Sequence, residues 1–320
     1  MVNMSDAPFF SIIIPLYNKA HHIKSTIESA LDQTFEDFEI IVVNDGSTDG
    51  SESQVQAISD ERITLHTKQN QGVAFARNFG VEKARAERIV FLDADDSWYP
   101  THLEDLKALF LEYPDCGLYC KAYYKKEGKS LNPSKYNNLP TAPNWKGIVK
   151  DYFDASIVNC VAWTSAVAMP KAVFNNLNGF DTKITMGAGE DIDLWMRAAL
   201  KYPVAFHNTP TAIHHLDATN RISHSNTNLR RFINLDQYDA YAKTNKSLKK
   251  YLDYNRFAFA IQYKLAKNFE QFEAYRDKID MSNLNNKQIF LLNSNRLTLV
   301  LFSRLKHTLN LLNIRLSAFN

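Results

Sequence analysis

Short apolar runs alternate with longer amphipathic stretches along residues 9–125. The runs are rich in β-branched residues, which is typical of strands, and the stretches between them have the period of helices. Strands are predicted at 11–16, 39–44, 63–67, 88–92 and 117–123, and helices at 22–33, 51–59, 73–84 and 101–112. This alternation favours an α/β fold with a mainly parallel, Rossmann-like sheet that is covered by helices on both faces.

The pattern changes twice further along the chain. Residues 125–145 are rich in Lys, Asn, Pro and Tyr and lack periodicity, which predicts a long loop, either a functional lid or a disordered connection. A strand at 162–169 and a helix at 191–201 are predicted next. Beyond residue 219 the sequence has a helical pattern throughout. We therefore predict two domains, an α/β domain at 1–219 and a mostly helical one at 220–320.

Acidic residues follow the apolar run 88–92 directly, at Asp93, Asp95 and Asp96. In open α/β sheets, ligands bind beyond the carboxyl ends of the strands. Carboxylates at that position indicate a hard divalent cation, Mg²⁺ or Mn²⁺, together with a phosphate-bearing substrate. The alternative is a polar turn that caps the helix beginning near Pro100.

The ends of the first three strands carry further candidate binding residues. Pro15 closes the first strand, and Tyr17 places an aromatic ring where a base could stack. Asp45 follows the second strand and could accept the imide N–H of a uracil or thymine ring, while Gly46 permits the sharp turn. Arg77, after the third strand, could reach a nucleotide. For each of these residues the alternative is structural: turn chemistry around Asp45 and an ordinary solvated arginine.

Glycines precede two acids, Glu190 and Asp191, at the start of the predicted helix 191–201. The helix dipole stabilises a carboxylate there by roughly 0.3–1 kcal/mol, which keeps an Asp ionised and able to accept a proton. Asp191 is therefore the candidate general base, and ordinary capping is the alternative. Asp193 and Arg197 are spaced to form an i,i+4 ion pair.

The composition excludes several classes of protein. The formal net charge is +2, from 37 basic and 35 acidic residues in a chain of 320, which gives no basis for nucleic-acid binding. Three cysteines without paired spacing support neither a disulfide framework nor a zinc site. The apolar run near the start is too short for a signal peptide or for the ~20 residues of a spanning helix. We expect a cytoplasmic protein, at most peripheral to the inner face of the membrane.

Six motifs, in this order and at these intervals, resemble those of family 2 of the inverting glycosyltransferases, which have the GT-A fold. They are SIIIPLYN at 11–18, VVNDGSTDGS at 42–51, ARNFG at 76–80, FLDADD at 91–96, GFD at 179–181 and GED at 189–191. The resemblance extends to about residue 223 and covers some two thirds of the chain. The Gln-x-x-Arg-Trp motif of processive synthases is absent, and Asn44 stands where many relatives have another acid.

The resemblance implies a metal-dependent enzyme of bacterial cell-surface polysaccharide synthesis. Such an enzyme moves a sugar from a nucleotide-sugar donor, most often UDP-linked, to a hydroxyl of a saccharide or lipid-linked acceptor, with Mn²⁺ or Mg²⁺ as cofactor. The implied donor-binding residues are Pro15, Tyr17, Asp45, Arg77, Asp93 and Asp95. Asp95 would also bind the metal, together with His215 or its neighbour His214, of which we prefer His215. Asp191 would be the catalytic base, and Asp96 is left to helix capping.

Residues 281–320 form a basic amphipathic pattern, with five Lys or Arg and no acid among regularly spaced leucines. Such a helix can lie in an anionic membrane interface. The alternative is that the leucines pack on the protein's own helices or on a second subunit of a homo-oligomer.

Two other functions remain as alternatives. A sugar nucleotidyltransferase would have a glycine-rich, basic phosphate loop after the first strand, and Pro15-Leu-Tyr-Asn18 does not match that pattern. A non-catalytic nucleotide- or carbohydrate-binding module would not need the acids at 93, 95 and 191.

Overall fold

The computed structural model describes residues 7–221 and 225–311, with side chains as far as residue 305. Its strands are β1 (Phe10–Leu16), β2 (Phe38–Asn44), β3 (Ile63–Thr67), β4 (Arg88–Phe91), β5 (Ser97–Trp98), β6 (Leu118–Glu127), β7 (Ser130–Pro133), β8 (Lys146–Ile148), β9 (Val167–Pro170) and β10 (Val204–His215). Its helices are α1 (Ile23–Leu31), α2 (Ser51–Gln56), α3 (Val73–Lys83), α4 (His102–Glu112), α5 (Tyr152–Ala155), α6 (Lys171–Asn176), α7 (Glu190–Lys201), α8 (Asp239–Ala242), α9 (Lys246–Leu265), α10 (Phe269–Arg276), α11 (Asn286–Asn293) and α12 (Arg296–Leu311).

The strands form one mixed sheet, in the order β3-β2-β1-β4-β9-β6-β10-β5, with β7 beside β6 and β8 beside β10. The first four strands are parallel to one another. β9 is antiparallel to both β4 and β6, so these two reversals restore the original direction in β6 and in its parallel neighbour β10. The predicted α/β fold with flanking helices is confirmed. The sheet is less parallel than the sequence indicated, because β9 and three edge strands run against the main direction.

This topology gathers several chain segments at one edge of the sheet. Six strands point the same way, so the residues that follow β1, β2, β4 and β10 all lie at the carboxyl edge. β9 runs in the opposite direction, and therefore its beginning lies at that edge as well. Ser165, just before β9, is consequently brought next to the acids that follow β4.

Two predictions of local structure need correction. Part of the segment 125–145 is ordered in the sheet rather than looped, since β6 continues to Glu127 and turns back into β7. The strand predicted at 162–169 is shorter: a 3₁₀ turn occupies Thr164–Ala166, and β9 is Val167–Pro170. In both cases the boundaries of the strand are set by its pairing with other strands. The local sequence pattern contains no information about that pairing.

Side chains of β1 alternate between two hydrophobic cores, one on each face of the sheet. Ile12 and Ile14 belong to one core and Ile13 to the other, which explains why buried parallel strands are apolar without interruption. Leu194 of α7 and Leu248 of α9 lie in the same core as Ile13. The helical region thus packs on the sheet domain through a shared core, and the boundary at 219/220 stays a prediction.

The basic amphipathic region is helical over α11 and α12, while residues 312–320 lie outside the described part of the chain. Within the described ranges, none of the helices combines the length and the apolar character that crossing a bilayer requires.

Candidate active site

A cavity of about 790 Å³ opens at the carboxyl edge of the sheet, which is within the size range of small-molecule sites. Six residues that the sequence analysis assigned to donor binding line this cavity: Pro15, Tyr17, Asp45, Arg77, Asp93 and Asp95. The lining residues that were not assigned to it include Lys19, Asn70, Met186, Glu190, Asn220 and Arg221. The cavity therefore joins segments that are up to 200 residues apart along the chain.

Asp45 anchors one end of the cavity and is itself buried. Its Oδ1 accepts hydrogen bonds from Lys68 Nζ at 2.7 Å and from the Gln71 amide at 3.0 Å, and its Oδ2 accepts one from the Gly72 amide at 2.8 Å. A carboxylate has about four acceptor sites, so one remains for a ligand. The turn depends on Gly46, which has φ 76°, and a Cβ there would come within 2.9 Å of the Asn70 amide nitrogen.

Arg77 joins two acids that are distant in the sequence, one after β4 and one at the start of α7. One guanidinium nitrogen donates to Asp93 Oδ1 at 2.7 Å, and the other donates to Glu190 Oε1 at 3.0 Å. Burial, followed by the charge of Asp191, raises the pKa of Glu190 to about 6, even though Arg77 acts in the other direction. Glu190 Oε2 and Arg77 Nε are buried without a hydrogen-bond partner among the described residues. This bridge fixes the start of α7 against the end of β4.

Asp95 is paired with Lys19, whose Nζ lies 2.6 Å from Asp95 Oδ2. The same Nζ donates to the backbone carbonyls of Thr219 and Asn220, at 2.9 and 3.0 Å. The carboxylate with the strongest sequence-based claim to a metal is thus held by a lysine from the loop after β1.

Asp96 does not cap a helix, which corrects the sequence-based assignment. Its Oδ2 accepts a hydrogen bond from Ser165 Oγ at 2.6 Å, and its Oδ1 accepts one from the His215 amide at 3.2 Å. Burial, followed by the charges of Asp95 and Asp93, raises the pKa of the Asp96 carboxyl well above its usual range. Asp96 therefore connects the segments next to β4, β9 and β10 at the wall of the cavity.

Of the two adjacent histidines, His214 lines the cavity. Its ring stacks on Trp163, with centroids 4.9 Å apart, and its Nε2 accepts a hydrogen bond from Arg221 at 3.0 Å. Burial and the Arg221 charge lower the pKa of His214 to about 3. His215 Nε2 instead forms a hydrogen bond with Ser97 Oγ at 2.9 Å. The metal-binding role of His215 stays a prediction.

Asp191 is the second residue of α7, after Gly189 with φ 102°. A Cβ at Gly189 would come within 2.9 Å of Ile233 Cγ2, so this close approach also requires glycine. Asp191 Oδ2 accepts a long hydrogen bond of 3.4 Å from Thr164 Oγ1. The predicted pair of Asp193 with Arg197 is confirmed, with Arg197 Nε 2.8 Å from Asp193 Oδ2.

The helical region contributes a tyrosine to the surroundings of Asp191. Burial, then Cys160 and then the charge of Asp191 raise the pKa of Tyr251 well above its usual range. Tyr251 belongs to α9. A residue of the predicted helical domain is therefore close enough to Asp191 to interact with it electrostatically.

The donor set suits a cation that takes most of its ligands from a substrate. Within the described part of the chain, no three His, Cys, Asp or Glu side chains form a complete metal shell. Asp93 and Asp95 nevertheless line one cavity. Mg²⁺ typically binds one or two carboxylates together with substrate phosphates and water. The residues therefore fit a divalent cation that is bound jointly with a diphosphate.

Comparison with known proteins identifies the family. The model described as glycosyl transferase family 2 matches residues 11–172, just over half of the chain. The chain belongs to this family. Family membership confirms the enzyme class that the sequence motifs predicted.

Several relatives are glycosyltransferases by name. An uncharacterised glycosyltransferase of Rickettsia typhi, RT0329, is 28% identical over 239 residues, which are 73% of this chain and 70% of the relative. The putative teichuronic acid biosynthesis glycosyltransferase TuaG of Bacillus subtilis is 39% identical over 157 residues, 48% of this chain and 60% of the relative. An uncharacterised glycosyltransferase of Rickettsia bellii is 33% identical over 58% of this chain, and the chain spans only 26% of it.

Solved structures of S. aureus TarS share the fold. The structure of TarS 1–349 in complex with UDP-GlcNAc has a TM-score of 0.56 and 16% identity, and the match covers 88% of this chain and 79% of that one. The match extends well beyond residue 172, so the second half of the chain also takes part in the common fold.

Sequence reasoning missed Lys19, Glu190 and Ser165 as parts of the site. Lys19 is a cation two residues after Tyr17, and its position just beyond a strand end is the signal that could have indicated it. Glu190 was named with Asp191 as one of the two acids that begin α7, but Asp191 was preferred as the base and Glu190 was given no role in the site. Ser165 offered no local signal, because only the reversed direction of β9 brings it to the acids.

Proposed function

We propose that this chain is a metal-dependent inverting glycosyltransferase that moves a sugar from a UDP-linked donor to a hydroxyl of a saccharide or lipid-linked acceptor. The observation that carries the proposal is the single cavity, which brings the ends of β1, β2 and β4 together with the start of α7. The name of TuaG and the UDP-GlcNAc complex of TarS support a polysaccharide product and a UDP-linked donor.

The nucleoside would lie between Tyr17 and Asp45. Tyr17 is 46% exposed and lines the cavity, so its ring is accessible for stacking on a base. Asp45 has one acceptor site left for the imide N–H of uracil. Pro15 and Arg77 line the same space.

The diphosphate would lie near Asp93 and Asp95, where Mg²⁺ or Mn²⁺ would be held by Asp95, with His215 as a further ligand after rearrangement. The cation, when bound, would stabilise the negative charge of the departing diphosphate, a contribution of several kcal/mol. Arg77 remains beside Asp93 and keeps its carboxylate oriented.

Asp191 would accept the proton of the acceptor hydroxyl. The hydroxyl oxygen then forms a bond to the anomeric carbon on the face opposite the diphosphate. The bond from that carbon to the diphosphate oxygen breaks, UDP leaves, and the configuration is inverted. General base catalysis of this kind typically contributes ~10²–10⁴-fold.

The proposal is tested with the purified full chain, Mn²⁺ and a panel of UDP-, GDP- and dTDP-sugars. We expect slow hydrolysis of at least one UDP-sugar and protection of the chain by UDP against thermal unfolding. If no donor is hydrolysed and none shifts the unfolding temperature, the enzyme proposal is wrong. Formation of a UDP-sugar from UTP and a sugar 1-phosphate would instead identify a nucleotidyltransferase.

We also propose that α12 contacts an anionic membrane surface. Leu297, Leu301 and Leu305 follow one another at i,i+4 spacing and are 76%, 65% and 44% exposed, whereas Leu299 of the same helix is buried. A symmetric contact between two copies would bring the positive charges of one copy close to those of the other. Anionic lipid would instead neutralise these positive charges, and we therefore favour a membrane surface over a second copy of the chain.

Liposome flotation tests the membrane proposal. The full chain should float with vesicles that contain anionic lipid and not with neutral ones, and the triple substitution Leu297→Gln, Leu301→Gln and Leu305→Gln should abolish flotation. Leu111→Gln, at an exposed leucine of α4, is the matched control. Equal flotation of the triple variant, or concentration-dependent dimers of the native chain that the triple variant loses, would contradict the proposal.

A further inference from the structure

Residues 216–221, which we call the strap, follow β10 and are hydrogen-bonded to the loop after β1. Side chains of that loop and of the strap tie the two together. His22 Nε2 accepts a hydrogen bond from the Thr219 amide at 3.2 Å and lies 3.0 Å from Thr219 Oγ1. Asn220 Nδ2 donates to the Asn18 carbonyl at 3.1 Å. The strap is therefore fixed to the rim of the donor cavity, which Asn220 and Arg221 line.

Lys19 is at the centre of this contact. Its Nζ donates to the carbonyls of Thr219 and Asn220 and to Asp95 Oδ2. An ammonium group has three donors, so these three bonds occupy all of them. The Lys19 and Asp95 side chains are only 12% and 17% exposed, so their attraction is less screened than that of a surface pair.

A divalent cation cannot share Asp95 Oδ2 with an ammonium at 2.6 Å without like-charge repulsion. A diphosphate, in contrast, offers new acceptors to a displaced ammonium. We propose that Lys19 is a resident cation, which occupies Asp95 and holds the strap until a divalent cation and the donor diphosphate displace it together. This inference rests on the proposed metal-dependent transfer, and it identifies Lys19 as a positioning residue that couples donor binding to the strap.

Binding of Mn²⁺ alone, without nucleotide, is the direct test. Lys19→Met should raise the affinity of the full chain for Mn²⁺ at least about tenfold, since the competing charge is removed from Asp95. The glutamine of Lys19→Gln keeps N–H donors for the strap carbonyls but is neutral. This variant should therefore raise the affinity for Mn²⁺ by a similar factor. Lys24→Met, at an exposed lysine of α1, is the matched control. Titration followed by the electron paramagnetic resonance of free Mn²⁺ gives the dissociation constants.

Equal Mn²⁺ affinity in the native chain and in both Lys19 variants would overturn the inference, provided that Mn²⁺ binds with UDP and that Asp95→Asn abolishes this binding. If Mn²⁺ does not bind even with UDP, the metal role in the proposed function fails as well, so the two failures are distinguishable.

Hydrogen exchange in the strap gives a second measurement. Addition of Mn²⁺ with UDP should speed exchange of the Thr219 amide in the native chain, since two ties of the strap are lost. In Lys19→Met the exchange should be fast already. An unchanged exchange rate in the native chain would contradict the coupling to the strap.

Discussion

The acids at the donor end of the cavity and the acid at the start of α7 differ in their partners. Asp45, Asp93 and Asp95 each have a cation within 2.7 Å, supplied by Lys68, Arg77 and Lys19. For Asp191, the described part of the chain shows no ion pair and only the long bond from Thr164 together with the neighbouring Ile192 amide.

In the proposed function, this difference would separate two tasks. Cations that neutralise the donor-end acids allow a negatively charged diphosphate to approach them, and they hold each carboxylate in one orientation. A carboxylate in a close ion pair also has fewer acceptor positions left for a substrate hydroxyl. Within the described part of the chain Asp191 forms no ion pair, so it keeps acceptor positions for such a hydroxyl, as its proposed role requires.

The largest expected effect is that of Asp191→Asn. Transfer should fall at least about 100-fold, because general base catalysis is lost, while the dissociation constant for UDP stays within about twofold. Turnover and isothermal titration of UDP measure the two quantities. Glu82→Gln, at an exposed acid of α3, is the control. Near-native turnover of Asp191→Asn would show that Asp191 is not the base, and its difference from the donor-end acids would then have no functional meaning.

Arg77→Met should be the most destabilising change. It leaves the carboxylates of Asp93 and Glu190 without their shared cation, and removal of one partner of a buried ion pair costs about 3–5 kcal/mol. Urea unfolding measures the loss. Lys83→Met, at an exposed pair on the same helix, should change stability by less than 1 kcal/mol. A similar loss in both variants would show that the Arg77 bridge has no special role.

Asp45→Asn should weaken both the fold and UDP binding. An amide offers one acceptor oxygen where three donors converge, so a charge-assisted bond worth about 1.5–3 kcal/mol is lost. Thermal unfolding with and without UDP separates the two effects. Asp37→Asn, at an exposed acid, is the control, and undiminished protection by UDP in Asp45→Asn would exclude a role in base recognition.

The smallest effect is a pH dependence that arises from Glu190. The pKa is about 6 in the folded chain against an ordinary value of 4.5, so between these values the folded state keeps a proton that the unfolded state has lost. This contribution to stability is complete below pH 4.5 and is lost as the pH rises through 6. Relative to Glu190→Gln, the native chain should therefore lose about 2 kcal/mol between pH 4 and pH 7.

Urea unfolding of both chains across this pH range measures that difference. Glu82→Gln is the control, and its free energy of unfolding should differ from that of the native chain by the same amount at every pH. If the difference between Glu190→Gln and the native chain is also constant, the pKa of Glu190 is the same in the folded and unfolded states, and Arg77 fully compensates for its burial.

The elements β1 to β4 and α1 to α4 were predictable because each is defined by its own hydrophobic period. The donor-end residues were predictable for a related reason, since Asp45 and Asp93 directly follow the predicted strands 39–44 and 88–92. β9 was predicted as a strand, but its direction in the sheet was not predicted. The sequence does not show that it is inserted antiparallel between β4 and β6.

Asp96 shows the limit of local reasoning most clearly. Its position before a helix indicates a helix cap. In the structure its carboxylate is buried at the cavity wall and accepts hydrogen bonds from Ser165 Oγ and the His215 amide. The role of Lys19 is equally hidden from local reasoning, because the carbonyl groups that accept its hydrogen bonds are about 200 residues away in the sequence. Such roles depend on which groups share a desolvated space.

The sequence by itself determined the fold class, the family and the residues that follow β1, β2 and β4, because these follow from periodicity and from motifs in fixed order. Only the tertiary structure decided which acid meets which cation. A side chain's local sequence does not contain its burial, its distance to a charge on another element, or the direction of a neighbouring strand. These three quantities distinguish the paired acids of the donor end from Asp191.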